Sequence, residues 1–156
     1  MAKRTAALVV AWMILLTGTA GAQEAPLWPC EVTVSVEAGP WRRAALQAVR
    51  QLDAATAISW SVVEADAMVG VSWEDVEAPA AAFASVSATA SAKVGGSVVV
   101  DPDVPGRWVM YTLLHELGHV AGIDHNDEVS VMGGGDVPFR RLTAWDLDAL
   151  ADLDCA

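Results

Sequence analysis

The sequence is short and contains few basic residues, cysteines and histidines, and each of these shortages excludes some classes of function. With 156 residues the chain has no room for a second hydrophobic core, so we expect one domain. Only 9 basic residues stand against 20 acidic ones, a formal net charge of −11. This balance argues against nucleic-acid partners and against adhesion to anionic membranes. There are no internal repeats.

The apolar run at the N-terminus, Ala6–Leu16, is shorter than the roughly 20 residues that a membrane span needs. It follows two basic residues and precedes small residues that end at Ala22. This order predicts a signal peptide over residues 1–22 and a mature chain over residues 23–156 that is secreted or periplasmic. The alternative is an uncleaved anchor that extends through Thr17–Ala22.

Cysteine occurs only twice, as Cys30 and Cys155, near the two ends of the mature chain. In an exported protein two such residues predict a disulfide. Neither lies near Ala22, so a lipid-anchored form would have no attachment point. The alternative is that Cys30 is a thiolate that regulates a metal site.

Histidine occurs three times, always within the stretch His115-Glu116-Leu117-Gly118-His119-Val120-Ala121-Gly122-Ile123-Asp124-His125. In a helix, His115 and His119 lie one turn apart on one face and can chelate a single zinc ion. Gly122 suits the left-handed residue at which a helix stops, so that the chain can return His125 as a third ligand. Three protein ligands with an open fourth position are typical of catalytic zinc.

Glu116 follows the first of these ligands by one position, which places it about 100° further round the helix. A carboxylate there can work beside the metal as the general base that takes a proton from zinc-bound water. We therefore predict one zinc ion held by His115, His119 and His125, and Glu116 as the catalytic residue. With average residue usage, the five fixed positions of this motif would arise by chance in about one chain in 10⁵.

The remaining pattern predicts an α/β fold (α+β by some schemes), a single domain with a mixed twisted sheet of about five strands and three helices. The expected strands are Val32–Val36, Ile58–Val63, Met68–Trp73, an edge strand at Phe83–Ala92, and Ser97–Val100 after a break at Gly95-Gly96. The expected helices are Trp41–Ala55, a largely buried Arg107–Ala121, and one that begins near Thr143 as N-cap. The acidic loop Glu74–Glu77 could hold Ca²⁺, but spaced oxygen ligands are lacking, which favours a solvent-exposed loop instead.

The histidine motif and the order of the elements resemble those of the metzincin zinc metalloproteases, which combine H-E-x-x-H-x-x-G-x-x-H with a methionine turn. Met132 stands seven residues after His125. This short step, and Leu142–Leu147 at the start of the last helix, make the chain most similar to small bacterial matrixin-type peptidases. The resemblance spans residues 31–155, of which only 115–132 are specific. It implies a zincin-like fold, a metzincin/matrixin-like catalytic domain over residues 23–156, and Met132 as an apolar floor that does not ligate the metal.

The chain also departs from the family pattern. No histidine remains for the second, structural zinc of vertebrate matrixins, and the residues after Ala22 are too few for a propeptide. Gly133 replaces the tyrosine that follows the methionine in astacins and serralysins. The residues around Cys30 do not match the P-R-C-G-x-P-D switch of the matrix metalloproteases, which favours the disulfide over a regulatory thiolate.

The motif and the resemblance lead us to expect a zinc-dependent endopeptidase that hydrolyses protein or peptide substrates. An extended peptide would add to the edge strand near Phe83–Ala92. We expect no nucleic acid, no membrane contact of the mature form, and a monomer. The alternative is an exported zinc-binding or interaction module without catalysis, and Glu116 argues against it because a metal-only site does not need this carboxylate.

Overall fold

The fold is an α/β domain with one sheet and three helices, as the sequence predicts. The computed structural model describes residues 26–77, 80–133 and 138–156. In chain order the elements are β1 (Glu31–Val36), α1 (Arg42–Ala55), β2 (Ser59–Val62), β3 (Val69–Trp73), β4 (Ala82–Ala88), β5 (Lys93–Val100), α2 (Gly106–Ala121) and α3 (Ala144–Ala151). The expected signal peptide, residues 1–22, lies outside the described residues. Within them, no helix is long and apolar enough to cross a membrane.

The sheet is mixed, with five strands in the order β2-β1-β3-β5-β4. The first four in this order run parallel to their neighbours, and β4 pairs antiparallel with β5 at the edge. Alternating valines explain the first strand, since Val32, Val34 and Val36 are buried while the residues between them are less so. The position of β4 confirms the predicted edge strand, although it ends at Ala88 rather than Ala92.

The predicted break at Gly95-Gly96 is wrong, because β5 begins at Lys93 and runs through both glycines. Gly96 pairs with Val69 of β3 on one side and Val86 of β4 on the other. A Cβ on Gly96 would lie 2.9 Å from the carbonyl oxygen of Ser85. The glycine therefore allows two backbones to approach closely inside the sheet instead of ending the strand.

The helices pack on the sheet and on each other. The apolar face of α1, formed by Ala45, Ala48, Val49 and Leu52, is buried, and α1 contacts β1, β2 and α2. The second helix, α2, contacts β4 and β5 and is buried around most of its axis, as predicted. Because this central helix carries His115 and Glu116, both side chains are held within the packed interior.

The two ends of the described chain are tied together, which confirms the predicted disulfide. Cys30 and Cys155 are bonded, with their Cα atoms 4.9 Å apart and a separation of 125 positions in sequence. Next to this bond, the backbone N–H of Ala156 donates to the carbonyl oxygen of Trp28 over 2.9 Å. Cys30 is therefore not available as a regulatory thiolate.

Candidate metal centre

The side chains of the three histidines converge on one point. The Nε2 atoms of His115 and His119 are 3.1 Å apart, those of His119 and His125 are 3.2 Å apart, and those of His125 and His115 are 3.1 Å apart. Two of the rings come from successive turns of α2, and the third comes from the loop that follows. Within the described ranges, these three residues are the group that could hold a metal ion. The structure thus brings together the ligands that the sequence predicted.

The other ring nitrogen fixes the tautomer of two of these histidines. His115 Nδ1 lies 2.8 Å from the carbonyl oxygen of Val131, and His119 Nδ1 lies 2.9 Å from that of Ile123. A carbonyl oxygen can only accept, so each Nδ1 carries the proton and donates it. In the neutral rings both Nε2 atoms are therefore lone-pair acceptors, and neither can donate to the other.

Burial keeps these two rings neutral. His115 is 4% exposed, and loss of solvation lowers its pKa from 6.5 to about 4 although the hydrogen bond to Val131 acts in the opposite direction. Burial also lowers the pKa of His119, which is half-buried. His125 is exposed, so the cluster opens towards solvent at the third histidine.

Neutral acceptors that point at one another fit a cation between them. Nitrogen ligands at tetrahedral angles and about 2.0–2.1 Å from zinc lie roughly 3.3 Å apart, close to the spacing of the three Nε2 atoms. Imidazole nitrogen suits zinc, copper and nickel among the common metals. The three histidines could therefore bind a metal ion, and their chemistry is consistent with zinc.

Gly122 ends the helix as predicted and shapes the turn that returns His125. It has a φ of +123°, and its N–H and that of Ile123 both donate to the carbonyl oxygen of Gly118 over 3.0 Å. Any other residue would be strained at this φ. The carbonyl of Ile123 then accepts from His119. One turn thus stops the helix, orients the second histidine and brings back the third.

Met132 lies in a turn that packs against α2, the helix that carries His115 and His119 (the metal helix). It is fully buried, and a Cβ on Gly118 would lie only 2.5 Å from its Sδ, so the sulfur fits against the helix because residue 118 is a glycine. The role of Met132 as an apolar floor beneath a metal stays a prediction. The preceding residue, Val131, supplies the carbonyl that accepts from His115. At Gly133 any side chain would overlap the carbonyl of Glu128, so the turn excludes a tyrosine there.

A buried carboxylate holds this turn, and sequence reasoning missed its role. Asp146 is fully buried and accepts from the backbone N–H groups of Val131 and Met132, each over 3.1 Å. It also accepts from the N–H and Oγ1 of Thr143, over 2.8 and 2.7 Å, in the capping box that starts α3. The N-cap at Thr143 that the sequence predicts is confirmed. The sequence gives no signal for the contact of Asp146 with the methionine turn. Asp146 thus connects α3 to the carbonyl that orients His115.

Glu116 is 2% exposed, and its Oε2 atom has no hydrogen-bond partner among the described residues. Burial raises the pKa of its carboxyl group to about 7. A buried carboxylate with an unpaired oxygen costs stability, so its presence indicates that something other than folding keeps it there. A pKa near 7 is the value at which a group can both accept and donate a proton at neutral pH.

The only tyrosine of the chain, Tyr111, lies one helical turn before the first histidine. Its ring stacks on that of His115, with centroids 5.8 Å apart and an angle of 29° between the planes. Phe139 contacts Tyr111 from the segment after the methionine turn, at a centroid distance of 6.5 Å. Tyr111 therefore packs directly against His115, and Phe139 packs against Tyr111.

Comparison with known proteins finds similar solved structures at low sequence identity. Its sequence matches no family model and no curated protein. Among solved structures it is similar to the "GM1 bound form of the ECX AB5 holotoxin", with 12% identity over 77% of this chain and 69% of that chain and a TM-score of 0.47. Two myroilysin structures also match, with TM-scores of 0.47. One has 17% identity over 67% of this chain and 52% of its own, and the other has 16% over 83% and 62%. Similarity at this level identifies no family and transfers no activity.

Proposed function

We propose that this chain is a secreted zinc endopeptidase of the metzincin type, with His115, His119 and His125 as zinc ligands and Glu116 as general base. The observation that carries the proposal is the combination of three converging imidazole nitrogens with a buried carboxylate next to the first of them. A protein that only binds metal has no need of this carboxylate, whose burial costs stability.

In the proposed reaction, bound zinc supplies a Lewis acid that polarises the scissile carbonyl and makes the attacking water easier to deprotonate. Glu116 accepts the proton of this water and later delivers it to the leaving amine. In the metal-free protein burial raises the pKa of this carboxyl group to about 7, and a bound cation nearby would favour its charged, proton-accepting form. His115 and His119 are oriented for ligation by the carbonyls of Val131 and Ile123.

The edge strand β4 supports a peptide substrate. Only β5 pairs with β4 in the described sheet, so the main chain of an extended peptide could pair with its other side. Phe83 and Val86 of this strand are 41% and 38% exposed and offer apolar contacts to side chains of the peptide. Because α2 packs against β4, a peptide on this edge would run beside the metal helix.

The disulfide between Cys30 and Cys155 supports an extracytoplasmic location, since such bonds persist in oxidising compartments. A signal peptide over residues 1–22 and a catalytic domain over residues 23–156 stay predictions. Removal of the signal would leave the disulfide near both ends of the mature chain.

Hydrolysis of a set of internally quenched fluorogenic peptides tests the proposed function. We expect the zinc-loaded protein to cleave at least some of these peptides, a chelator to abolish the activity, and added zinc to restore it. A protein that holds one zinc ion per chain and cleaves no peptide in a diverse set would instead be the non-catalytic zinc-binding module.

A further inference from the structure

The last turn of the metal helix is held by donors from other parts of the chain. Trp28 Nε1 donates to the carbonyl oxygen of Val120 over 2.7 Å, and Lys93 Nζ donates to that of Ala121 over 2.9 Å. The final carbonyls of a helix have no partners within it, and a lysine near this end both satisfies one of them and interacts favourably with the helix dipole. The C-terminus of α2 is therefore fixed from outside, just before the loop that leads to His125.

Lys93 is the only lysine in the described part of the chain, and its position at this turn is tightly defined. It is the first residue of β5, and its backbone N–H donates to the carbonyl oxygen of Leu27 over 2.8 Å. Its ammonium group lies 5.8 Å from the centre of the Trp28 ring. A Cβ on Gly122 would lie 2.6 Å from Nζ, so the ammonium group occupies the space that the glycine leaves open.

The same ammonium group interacts with both ends of the turn. On the helix side it bonds to Ala121, and on the loop side Asp124, the residue before His125, acts on it electrostatically. Burial lowers the pKa of Lys93 and Asp124 opposes this effect. Between these two contacts lies Ile123, whose carbonyl orients His119. Movement of this turn would therefore displace the third histidine and loosen the second.

We propose that Lys93 is a positioning residue of the metal centre, which holds the turn Ala121–Asp124 so that His125 meets the other two histidines. This inference rests on the proposed metal site. Lys93 itself contributes no ligand atom, and it acts through the backbone of the turn. The proposal gives a role to a half-buried cation that the histidine motif does not contain.

The affinity for zinc, measured by competition with a chromophoric chelator, tests this role without an activity assay. We expect Lys93→Met, which keeps the apolar stem and removes the donor and the charge, to bind zinc about tenfold more weakly, as is usual when support of a metal ligand is lost. Lys93→Arg keeps donor and charge and should retain most of the affinity. Arg50→Met on the exposed face of α1 removes the same charge far from the turn and should leave the affinity unchanged.

A double-mutant cycle with His125→Ala separates positioning from a general effect on the fold. If Lys93 acts mainly through the third histidine, Lys93→Met should weaken zinc binding in the wild-type background and have a smaller effect once His125 is gone. An equal loss in both backgrounds would overturn the proposal, as would an unchanged affinity in folded Lys93→Met.

A second variant covers the case in which Lys93→Met does not fold. Asp124 is exposed, so Asp124→Asn should fold, and it removes the charge that acts on Lys93 from the loop end of the turn. We expect weaker zinc binding in this variant, and unchanged binding would contradict the proposal. A wild-type protein that binds no zinc would refute the metal site itself. If the wild type and these variants all bind zinc equally well, the metal site stands and only the role of Lys93 is refuted.

Discussion

Replacement of Glu116 by glutamine should stabilise the metal-free protein at alkaline pH, because it removes a buried charge. The folded-state pKa is raised from 4.5 to about 7, so below pH 4.5 the carboxyl is protonated in both states and carries no penalty. Between these values the folded state keeps a proton that the unfolded state loses, and stability falls as the pH rises. The whole shift corresponds to about 3 kcal/mol, most of which develops between pH 5 and pH 8.

Urea unfolding of both metal-free proteins at pH 5 and pH 8 measures this effect. The gain in unfolding free energy from Glu116→Gln should be about 2–3 kcal/mol larger at pH 8 than at pH 5. Glu37→Gln, at an exposed carboxylate after β1, is the matched control and should show no such difference. With zinc bound, Glu116→Gln should keep its metal and lose peptide hydrolysis by about 10²–10⁴-fold, because glutamine cannot accept a proton.

A gain that is the same at both pH values would refute the argument that burial penalises the Glu116 carboxylate. His115 provides an internal check, since its folded-state pKa of about 4 lies below its ordinary value of 6.5. The unfolded state then binds more protons between these values, so His115 alone makes stability fall as the pH falls through this range. In the wild type the two effects oppose each other, and in Glu116→Gln the loss of stability in acid should become steeper.

Three further predictions concern the metal, the methionine turn and the disulfide. His125→Ala should lose most of its bound zinc, and full stoichiometric zinc in that variant would rule out a three-histidine site. Asp146→Asn should lower the unfolding free energy by about 2–3 kcal/mol, because a buried carboxylate accepts from the turn, whereas Asp148→Asn on the exposed face of α3 should change little. Thiol titration of the unfolded, unreduced protein should find no free cysteine, and conversion of both cysteines to serine should cost up to about 4–5 kcal/mol; two titratable thiols would contradict the bond.

The elements that could be predicted from the sequence are those whose signals are local. Spacing along one helix placed His115 and His119 together, Gly122 marked the end of that helix, and Thr143 marked the start of the last one. Alternating valines located β1. The order of the strands could not be predicted, because it depends on packing between distant segments. The predicted break at Gly95-Gly96 is wrong for the same reason, since the close approach of Gly96 to Ser85 of β4 exists only in the assembled sheet.

The residues that support the candidate site are harder to predict from the sequence than the three histidines. The two backbone groups that Asp146 contacts, on Val131 and Met132, belong to a turn 14 and 15 residues away, and the capping box alone explains an aspartate at this position. Lys93 bonds to the end of α2 at a separation of 28 positions in sequence. It lies at the start of β5, which the sequence pattern predicts to begin only at Ser97. Such contacts are made through backbone carbonyls and N–H groups, which all residues except proline possess. No side-chain pattern in the sequence therefore identifies them.

Mass spectrometry of the products from intact protein substrates tests the central claim most directly. Zinc-loaded wild type should produce new termini at internal peptide bonds, and these should be absent with a chelator and strongly reduced with zinc-loaded Glu116→Gln. No new internal termini from a protein that carries one zinc ion per chain, or termini produced equally by Glu116→Gln, would contradict a zinc endopeptidase that uses Glu116 as its base.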